Sequence, residues 1–347
     1  MNDMMIRRLP AKMLMMMATI LLYIAVVSSI TLGPMNIGFS DSLKALLPIE
    51  ADLPAYATVI IQQVRLPRTL LAIAIGGILA MCGTVMQGLF RNPLADPGII
   101  GVSAGASLGA AIAIVLFGGM IGHTAFLVLG TVPVFAFLGG ALATYAIYFL
   151  GTSSNGTSVT IMLLAGVALG AIAGAGMGLL NYFADDQALR DLSLWTMGSL
   201  AGATWDAIIL AYASLAILAF LYQRHAKHLN ALLLGEAEAR HLGINVQTLK
   251  RTLILLTAAG VGVTVALSGM IGFIGLVVPH IGRMLTGPDH RTLLPVSMLL
   301  GGLVLLVSDM IARTIVAPLE IPVGIITAAI GAPFFLGLLL KQRGRLA

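Results

Sequence analysis

Side chains able to do chemistry are sparse in this sequence, and one short pattern among them matches an enzyme motif. Gly101, Ser103 and Gly105 fit G-x-S-x-G, which in hydrolases holds a nucleophilic serine on a turn between a strand and a helix. Here the pattern starts an apolar stretch that is typical of a helix. Close packing of small residues explains it better, so we expect no catalytic residue. An intramembrane enzyme built on Ser103 is the less favoured alternative.

Metal and nucleotide sites are not indicated either. The single cysteine, Cys82, excludes a cysteine cluster, and the six histidines are scattered. His225 and His228 lie close together in a basic segment without a third ligand, so a solvated loop explains the pair. Neither the G-x-x-x-x-G-K-[ST] pattern of a P-loop nor H-E-x-x-H occurs. We therefore expect no metal and no cofactor bound by this chain.

Apolar helices must position the remaining polar residues. The chain is 59% hydrophobic and 10% charged, whereas a soluble domain has roughly 25% charged residues. Its longest run without Asp, Glu, Lys or Arg, 97–184, has room for three spans of about 20 residues. Barrel strands would alternate in polarity, and these runs are continuously apolar. The sequence predicts an all-α polytopic membrane protein with a single transmembrane domain, 1–347.

Glycine, proline and polar clusters divide the apolar runs into ten predicted spans, of which the eighth is too short to cross a bilayer straight. They lie near 13–33, 68–90, 99–121, 125–150, 159–183, 206–223, 252–269, 272–285, 292–312 and 323–341. With both termini inside, basic residues number fourteen on the inner side against five outside, which favours cytoplasmic termini. Basic residues in the inner loops also account for the net charge of +5, so this charge does not indicate nucleic-acid binding. A cleaved signal peptide is a less favoured interpretation of the first span, because no clean cleavage site follows it.

One polar segment, 232–251, interrupts the apolar chain. It carries five charges, whereas residues 252–282 carry none. Glu236 places negative charge in the first turn of a helix, Gly243 is placed to end that helix, and Asn245 is placed to cap the next one. The segment predicts two short helices on the cytoplasmic side. They form either a hairpin in the headgroup region or a docking element for a motor protein.

No source of energy for transport is evident within the chain. Proton-coupled carriers usually need an ionisable residue inside the membrane, and the predicted spans contain almost none. The P-loop that would bind ATP is missing as well. A docking element for a partner that hydrolyses ATP is therefore favoured, and an ion-coupled carrier remains the alternative.

Long motifs in a fixed order run through nearly the whole chain. They are VRLPRTLLAIAIGGILAMCGTVMQGLFRNPLADPGIIGVSAGASLG at 64–109, MLLAGVALG at 162–170, LSLWTMGSLAGATW at 192–205, LLLGEAEARHLG at 232–243, GFIGLVVPHIGRMLTGPDHRTLLP at 272–295 and DMIARTIVAPLEIPVGIITAAIGAPFFLGLL at 309–339. In these motifs the chain resembles the FecCD-type ABC permeases of iron-siderophore, haem and vitamin B12 importers. The resemblance implies a type II importer permease of the bacterial inner membrane with ten helices. It also implies a second copy of the chain, two ATP-binding cassette subunits that hold ATP and Mg, and a periplasmic binding protein.

The resemblance also implies roles for individual residues. Coupling to the ATPase is expected at Gly235, Glu236, Ala239, Arg240, Leu242, Gly243 and Ile244. Docking of the binding protein is expected at Arg65, Arg68 and Arg313, for which snorkelling at the membrane surface is the alternative. A cytoplasmic gate is expected at Asn92, Leu94, Thr157, Ser158 and Thr160, with the register of the last three open. The pathway wall is expected at Gly166, Gly170 and Gly174, where tight helix packing is the other interpretation.

Haem is the expected cargo, because the motif at 87–109 is most similar to the haem permeases. A ferric siderophore is the second expectation and cobalamin the third. His280 and Met270 are residue types that ligate haem iron. The sequence P-H-I-G-R around His280 is common to the family, however, so this histidine is expected to be structural.

Overall fold

A computed structural model describes residues 10–35, 37–46, 54–118, 125–153 and 156–343. Apart from its connections and one small hairpin, this part of the chain is helical. Long apolar runs fold in this way in a membrane because every backbone N–H and C=O must find its partner within the segment.

The described chain contains fourteen α-helices in sequence order. They are α1 (Ala11–Thr31), α2 (Phe39–Lys44), α3 (Ala55–Val59), α4 (Leu66–Leu89), α5 (Val102–Ile112), α6 (Ala125–Gly151), α7 (Val159–Phe183), α8 (Asp186–Thr196), α9 (Trp205–Leu232), α10 (Glu236–His241), α11 (Val246–Ser268), α12 (Ile274–Thr286), α13 (His290–Thr314) and α14 (Val323–Arg343). A π-helical turn, Ile60–Arg65, joins α3 to α4, and another, Ala113–Phe117, extends α5. A 3-10 helix, Pro97–Ile100, precedes α5. Strands β1 (Thr152–Ser153) and β2 (Gly156–Thr157) pair antiparallel between α6 and α7.

Eight helices in the described part are long and apolar enough to cross a membrane by length and composition. Two shorter apolar helices, Val102–Phe117 and Ile274–Thr286, coincide with the third and eighth predicted spans. The all-α polytopic fold is thus confirmed, and each predicted span overlaps a helix. The count of ten crossings and the cytoplasmic position of the termini stay predictions, and both chain ends lie outside the described residues.

Side-chain caps fix where several helices begin. The Oδ1 of Asn245 accepts the N–H of Thr248 at 3.0 Å at the start of α11, as the sequence predicts. Asp185 accepts the N–H of Ala188 at 2.7 Å at the start of α8, and Ser158 caps α7. Each oxygen pairs with an N–H group that has no partner within its helix.

The contacts divide the described chain into two compact units, of which the first combines parts of Met1–Thr84, Leu200–Ala219 and Gly272–Ala347. In this unit α13 packs against α1, α12 and α14. Gly76 of α4 and Gly301 of α13 meet backbone to backbone, because a Cβ on either glycine would overlap the carbonyl oxygen of the other. Small residues of this kind let membrane helices approach closely.

The second unit combines parts of Val85–Ser199 and Phe220–Ile271. Here α5 packs on α6 through Gly105 and Gly139, each of which faces the carbonyl oxygen of the other. Helix packing therefore accounts for this glycine of the G-x-S-x-G pattern. Ser103 lies in the first turn of α5, which follows a 3-10 helix and not the strand that a nucleophile elbow requires. Helices α4 and α9 contribute to both units, so neither unit is a separate stretch of sequence, and the single domain stays a prediction.

Candidate functional site

The polar segment folds as two helices that meet at a bend, as the sequence predicts. Two glycines with positive φ flank α10, Gly235 at 130° and Gly243 at 80°, a conformation that residues with a Cβ rarely adopt. The N–H of Gly243 donates to the carbonyl of Arg240 at 2.9 Å, and that of Ile244 donates to the carbonyl of Ala239 at 3.1 Å. These bonds close the C-terminal end of the helix. The stretch from Gly235 through Ile244 is termed the coupling knob below.

The coupling knob is anchored by a small side chain and presents larger ones at its surface. Ala239 is completely buried, whereas Leu242 is 64% exposed. Arg240 and Ile244 line a shallow surface concavity together with residues 245–247. A short helix that displays an apolar side chain beside a concavity is suited to insertion in a groove of a partner.

A buried cation lies beneath the coupling knob. The side chain of Lys250 is 3% exposed, and its Nζ lies 2.6 Å from the Oε1 of Glu236. The same ammonium group donates to the carbonyl of Thr157 at 3.0 Å. Glu236 begins α10, and Thr157 ends β2. A residue that the sequence did not single out thus joins a predicted coupling residue to a predicted gate residue.

The predicted gate residues have different environments. Asn92 is exposed, and its Oδ1 accepts the N–H of Leu94 at 2.9 Å, so it shapes its own turn. In the hairpin region Thr157 is buried, Ser158 caps α7, and Thr160 is exposed in the first turn of that helix. Their action as a gate stays a prediction.

Asp96 shapes the connection that follows this turn. Its Oδ1 accepts the N–H of Gly98 at 2.7 Å and so caps the 3-10 helix Pro97–Ile100. Burial raises the pKa of Asp96, and the hydrogen bond from Gly98 opposes that shift. The 3-10 helix packs against α6, α7 and α11, so this connection is held against three helices.

The predicted pathway glycines lie on α7, whose surface is largely uncovered in the single chain. A Cβ at Gly170 or Gly174 would meet no atom within 4 Å, and Gly166 is half-buried. Leu164 and Val167 of the same helix are exposed. Packing inside the described chain therefore does not explain Gly170 and Gly174, and α7 presents an apolar surface that suits lipid or another protein chain.

The three predicted docking arginines are buried, with exposed fractions of 3% for Arg65, 5% for Arg68 and 2% for Arg313. The Nη1 of Arg65 donates to the carbonyls of Ile30 at 2.9 Å and Thr31 at 2.8 Å. Both carbonyls belong to the C-terminal end of α1, where they have no partner within the helix. Arg65 thus closes a helix end.

A buried carboxylate holds the other two arginines. Asp309 has no exposed surface; it accepts from the Nε of Arg68 at 2.8 Å and lies 3.4 Å from the Nε of Arg313. Arg68 also pairs with Glu320 at 2.6 Å. Arg313 donates to the carbonyl of Ser29 at 2.7 Å. The three arginines with Asp309 and Glu320 form the arginine cluster.

The arginine cluster does not fit the expectation of docking groups at the surface. The three guanidinium groups are buried and bonded within the chain, so they do not face a partner in this arrangement. Direct docking therefore stays a prediction. Snorkelling is wrong as an explanation, because the charged ends are buried. Asp309 was missed from the sequence, although a carboxylate four residues before Arg313 in an apolar run was a usable signal.

The histidines and the methionine that were considered as metal or haem ligands contact other side chains of this chain. His225 and His228 lie on α9 with their Nδ1 atoms 3.3 Å apart, so the expected solvated loop is wrong: the helix continues to Leu232. His280 packs edge-on against a phenylalanine ring, and the sulfur of Met270 accepts the hydroxyl of Ser107 at 3.0 Å. Among the described residues, no group of three or more His, Cys, Asp or Glu could hold a metal ion.

Comparison with known proteins shows which family the chain belongs to. The FecCD transport family matches residues 21–341. The chain belongs to this family. It is 45% identical over 291 residues to the hemin transport system permease protein HmuU of Yersinia pestis, covering 81% of this chain and 83% of that protein. It is 41% identical over 293 residues to the vitamin B12 import system permease protein BtuC of Klebsiella pneumoniae, covering 84% and 86%.

A solved structure agrees with this FecCD assignment. An inward-facing conformation of a metal-chelate type ABC transporter superposes with a TM-score of 0.79 at 34% identity, covering 95% of this chain and 99% of that one. The FecCD chain is therefore an ABC transporter permease, and its long apolar helices are the membrane-spanning part of such a permease.

Proposed function

We propose that this FecCD-family permease passes haem from a periplasmic binding protein into the cytoplasm, driven by partner ATPase subunits. The observation that carries the proposal is the 45% identity to the hemin permease over most of both chains, against 41% for the vitamin B12 permease. Import of a ferric siderophore is the second candidate. It is supported by the likeness to a metal-chelate type transporter.

The coupling knob is the proposed contact with the ATPase. Leu242 projects from a short helix that is closed by two positive-φ glycines and anchored by the buried Ala239. A rigid lever of this kind can transmit the closing of two ATPase subunits without melting at its base. ATP and Mg belong to the partner, in keeping with the missing P-loop of this chain.

A second copy of the chain is the proposed partner for the uncovered surface of α7. Two copies related by a twofold axis would present the same patch to each other, and glycines suit close approach in lipid. The pathway would then run beside Gly166, Gly170 and Gly174, with both chain termini in the cytoplasm and the protein in the bacterial inner membrane. Cysteines introduced along α7 should form cross-links between copies in membranes.

The binding protein is the proposed source of the cargo. Because the guanidinium groups of the arginine cluster are buried, we propose that they hold the ends of α1 and α13 in the form that the binding protein recognises. Direct pairing with its carboxylates would require the contacts to Asp309 and Glu320 to open.

The decisive experiment is uptake into proteoliposomes that contain the permease, its partner ATPases and the binding protein. We expect ATP-dependent uptake of haem to exceed that of a ferric siderophore and of cobalamin. Faster uptake of either competitor would contradict haem as the cargo. Uptake without the ATPases, driven by an ion gradient, would contradict the proposed class of transporter.

A further inference from the structure

The connection beneath the coupling knob depends on a single ammonium group. Lys250 lies in the second turn of α11, and its Nζ contacts Glu236 at 2.6 Å and the carbonyl of Thr157 at 3.0 Å. One contact reaches the first residue of α10, and the other reaches the backbone of the hairpin between α6 and α7.

A second side chain in the same part of α11 also binds the hairpin. The N–H of Thr157 donates to the Oε1 of Gln247 at 3.0 Å. A Cβ on Gly156 would overlap the side chain of Gln247, so the hairpin lies directly against α11. Both backbone groups of Thr157 are thus bound to α11, one through Gln247 and the other through Lys250.

The hairpin is connected directly to a membrane helix, so a displacement of the hairpin would move the start of that helix. Thr157 ends β2, Ser158 accepts the N–H of Ile161 at 3.4 Å as the cap of α7, and α7 itself begins at Val159. The helix that carries the predicted pathway glycines therefore starts at the point that Lys250 holds.

Packing alone does not account for a lysine at this position. The buried side chains Val246, Leu249 and Leu253 already seat this part of α11. A buried ammonium group costs desolvation that a hydrophobic side chain of similar size avoids, so its ion pair with the partly exposed Glu236 is weak evidence of a role in stability. An ammonium group that binds both the coupling knob and the hairpin is better suited to transmitting movement between them.

We propose that Lys250 is a positioning residue that transmits movement of the coupling knob to the hairpin and so to α7. The inference rests on the proposed function, because it requires an ATPase seated on the knob. Movement of Glu236 pulls the ammonium group, and the ammonium group carries the carbonyl of Thr157 with it. Replacing the lysine should therefore separate ATP hydrolysis from opening of the pathway.

The test measures cargo transported per ATP hydrolysed in proteoliposomes that hold the permease, its ATPases and the binding protein, with haem as the probe. Lys250→Met should keep hydrolysis near the wild-type rate and lower the transport ratio by on the order of five- to 150-fold, the range that typical coupling energies span. Lys250→Arg should restore most of the ratio, because a guanidinium can also donate to both acceptors. Lys227→Met, at an exposed lysine of α9, is the matched control and should leave the ratio unchanged.

The outcomes separate this inference from the proposed function. Absence of ATP-driven haem uptake by the wild type would contradict the proposed function itself. Wild-type uptake together with an unchanged ratio in Lys250→Met would overturn the inference alone, as would equal losses in Lys250→Met and Lys250→Arg. If Lys250→Met does not assemble, Lys250→Gln decides, since it keeps a polar side chain at this position while removing the charge and shortening the reach to Glu236 and Thr157. An unchanged ratio in that variant overturns the inference, and a lowered ratio supports it.

Discussion

Replacing Asp309 by asparagine is the most demanding test of the arginine cluster. The substitution keeps the shape of the side chain and removes its charge. Asp309 has no exposed surface and lies 2.8 Å from the Nε of Arg68 and 3.4 Å from that of Arg313. In the variant both buried guanidinium groups lose the charge of Asp309, and Arg68 keeps only the carboxylate of Glu320, whose side chain is 37% exposed.

The expected loss follows from burial. Removing one partner of a buried ion pair leaves an uncompensated charge and destabilises a protein by about 3–5 kcal/mol. The entropy of unfolding is roughly 2.1 cal/mol/K per residue, or about 0.7 kcal/mol/K for 347 residues unfolding together. The melting temperature of Asp309→Asn should therefore fall by about 4–7 °C.

Thermal unfolding of the detergent-purified permease measures this shift, and Asp289→Asn is its matched control. Asp289 pairs with Arg291 at 2.7 Å at the protein surface, where salt bridges contribute little. An asparagine at this position still caps α13, as the aspartate does. Equal melting temperatures for the two variants would refute the assignment of Asp309 as the centre of the cluster.

Three further predictions concern the knob, the cluster and the turn before α5. Gly243→Val should retain ATP hydrolysis and assembly but lose haem uptake, because valine does not tolerate a φ of 80°; Gly202→Val, at an open glycine without such a φ, should transport normally, and undiminished uptake by Gly243→Val would count against a rigid knob. Arg65→Gln, which removes the charge, should lower the melting temperature and leave the salt dependence of binding-protein docking unchanged, whereas a shallower dependence would indicate direct contact with the partner. Burial raises the pKa of Asp96, so its charged form costs stability at neutral pH; that cost shrinks as the pH falls below the folded pKa and is gone below the unfolded pKa. Asp96→Asn should therefore unfold at a higher temperature than the wild type at pH 7, by a margin that shrinks on acidification, and a constant margin would contradict the assignment.

The sequence predicted those features that depend on neighbours along the chain. Continuous apolar runs located the membrane helices, because length and hydropathy suffice for that. Local chemistry also predicted the bend at Gly243 and the cap at Asn245, since a positive φ and an unpaired helix N–H each select particular residue types.

Features that join distant segments were not predicted. Arg68 meets Asp309 across 241 positions, and Lys250 meets Thr157 across 93. Nothing in one sequence specifies such pairings, because a charge near a helix end is equally suited to solvent, lipid headgroups or a partner. The amphipathic helix α8 was missed for a related reason: the prediction looked for long apolar spans, and α8 is an 11-residue polar helix in a connection.

The glycine contact between α5 and α6 limits how this permease can vary. At Gly105 and Gly139 the nearest obstacle to a larger residue is the carbonyl oxygen of the opposing backbone. Every amino acid has that oxygen, so trimming the opposing side chain does not make room. A selection for suppressors of Gly105→Ala should therefore return true revertants or changes that shift a whole helix, and no compensating replacement at the contact itself.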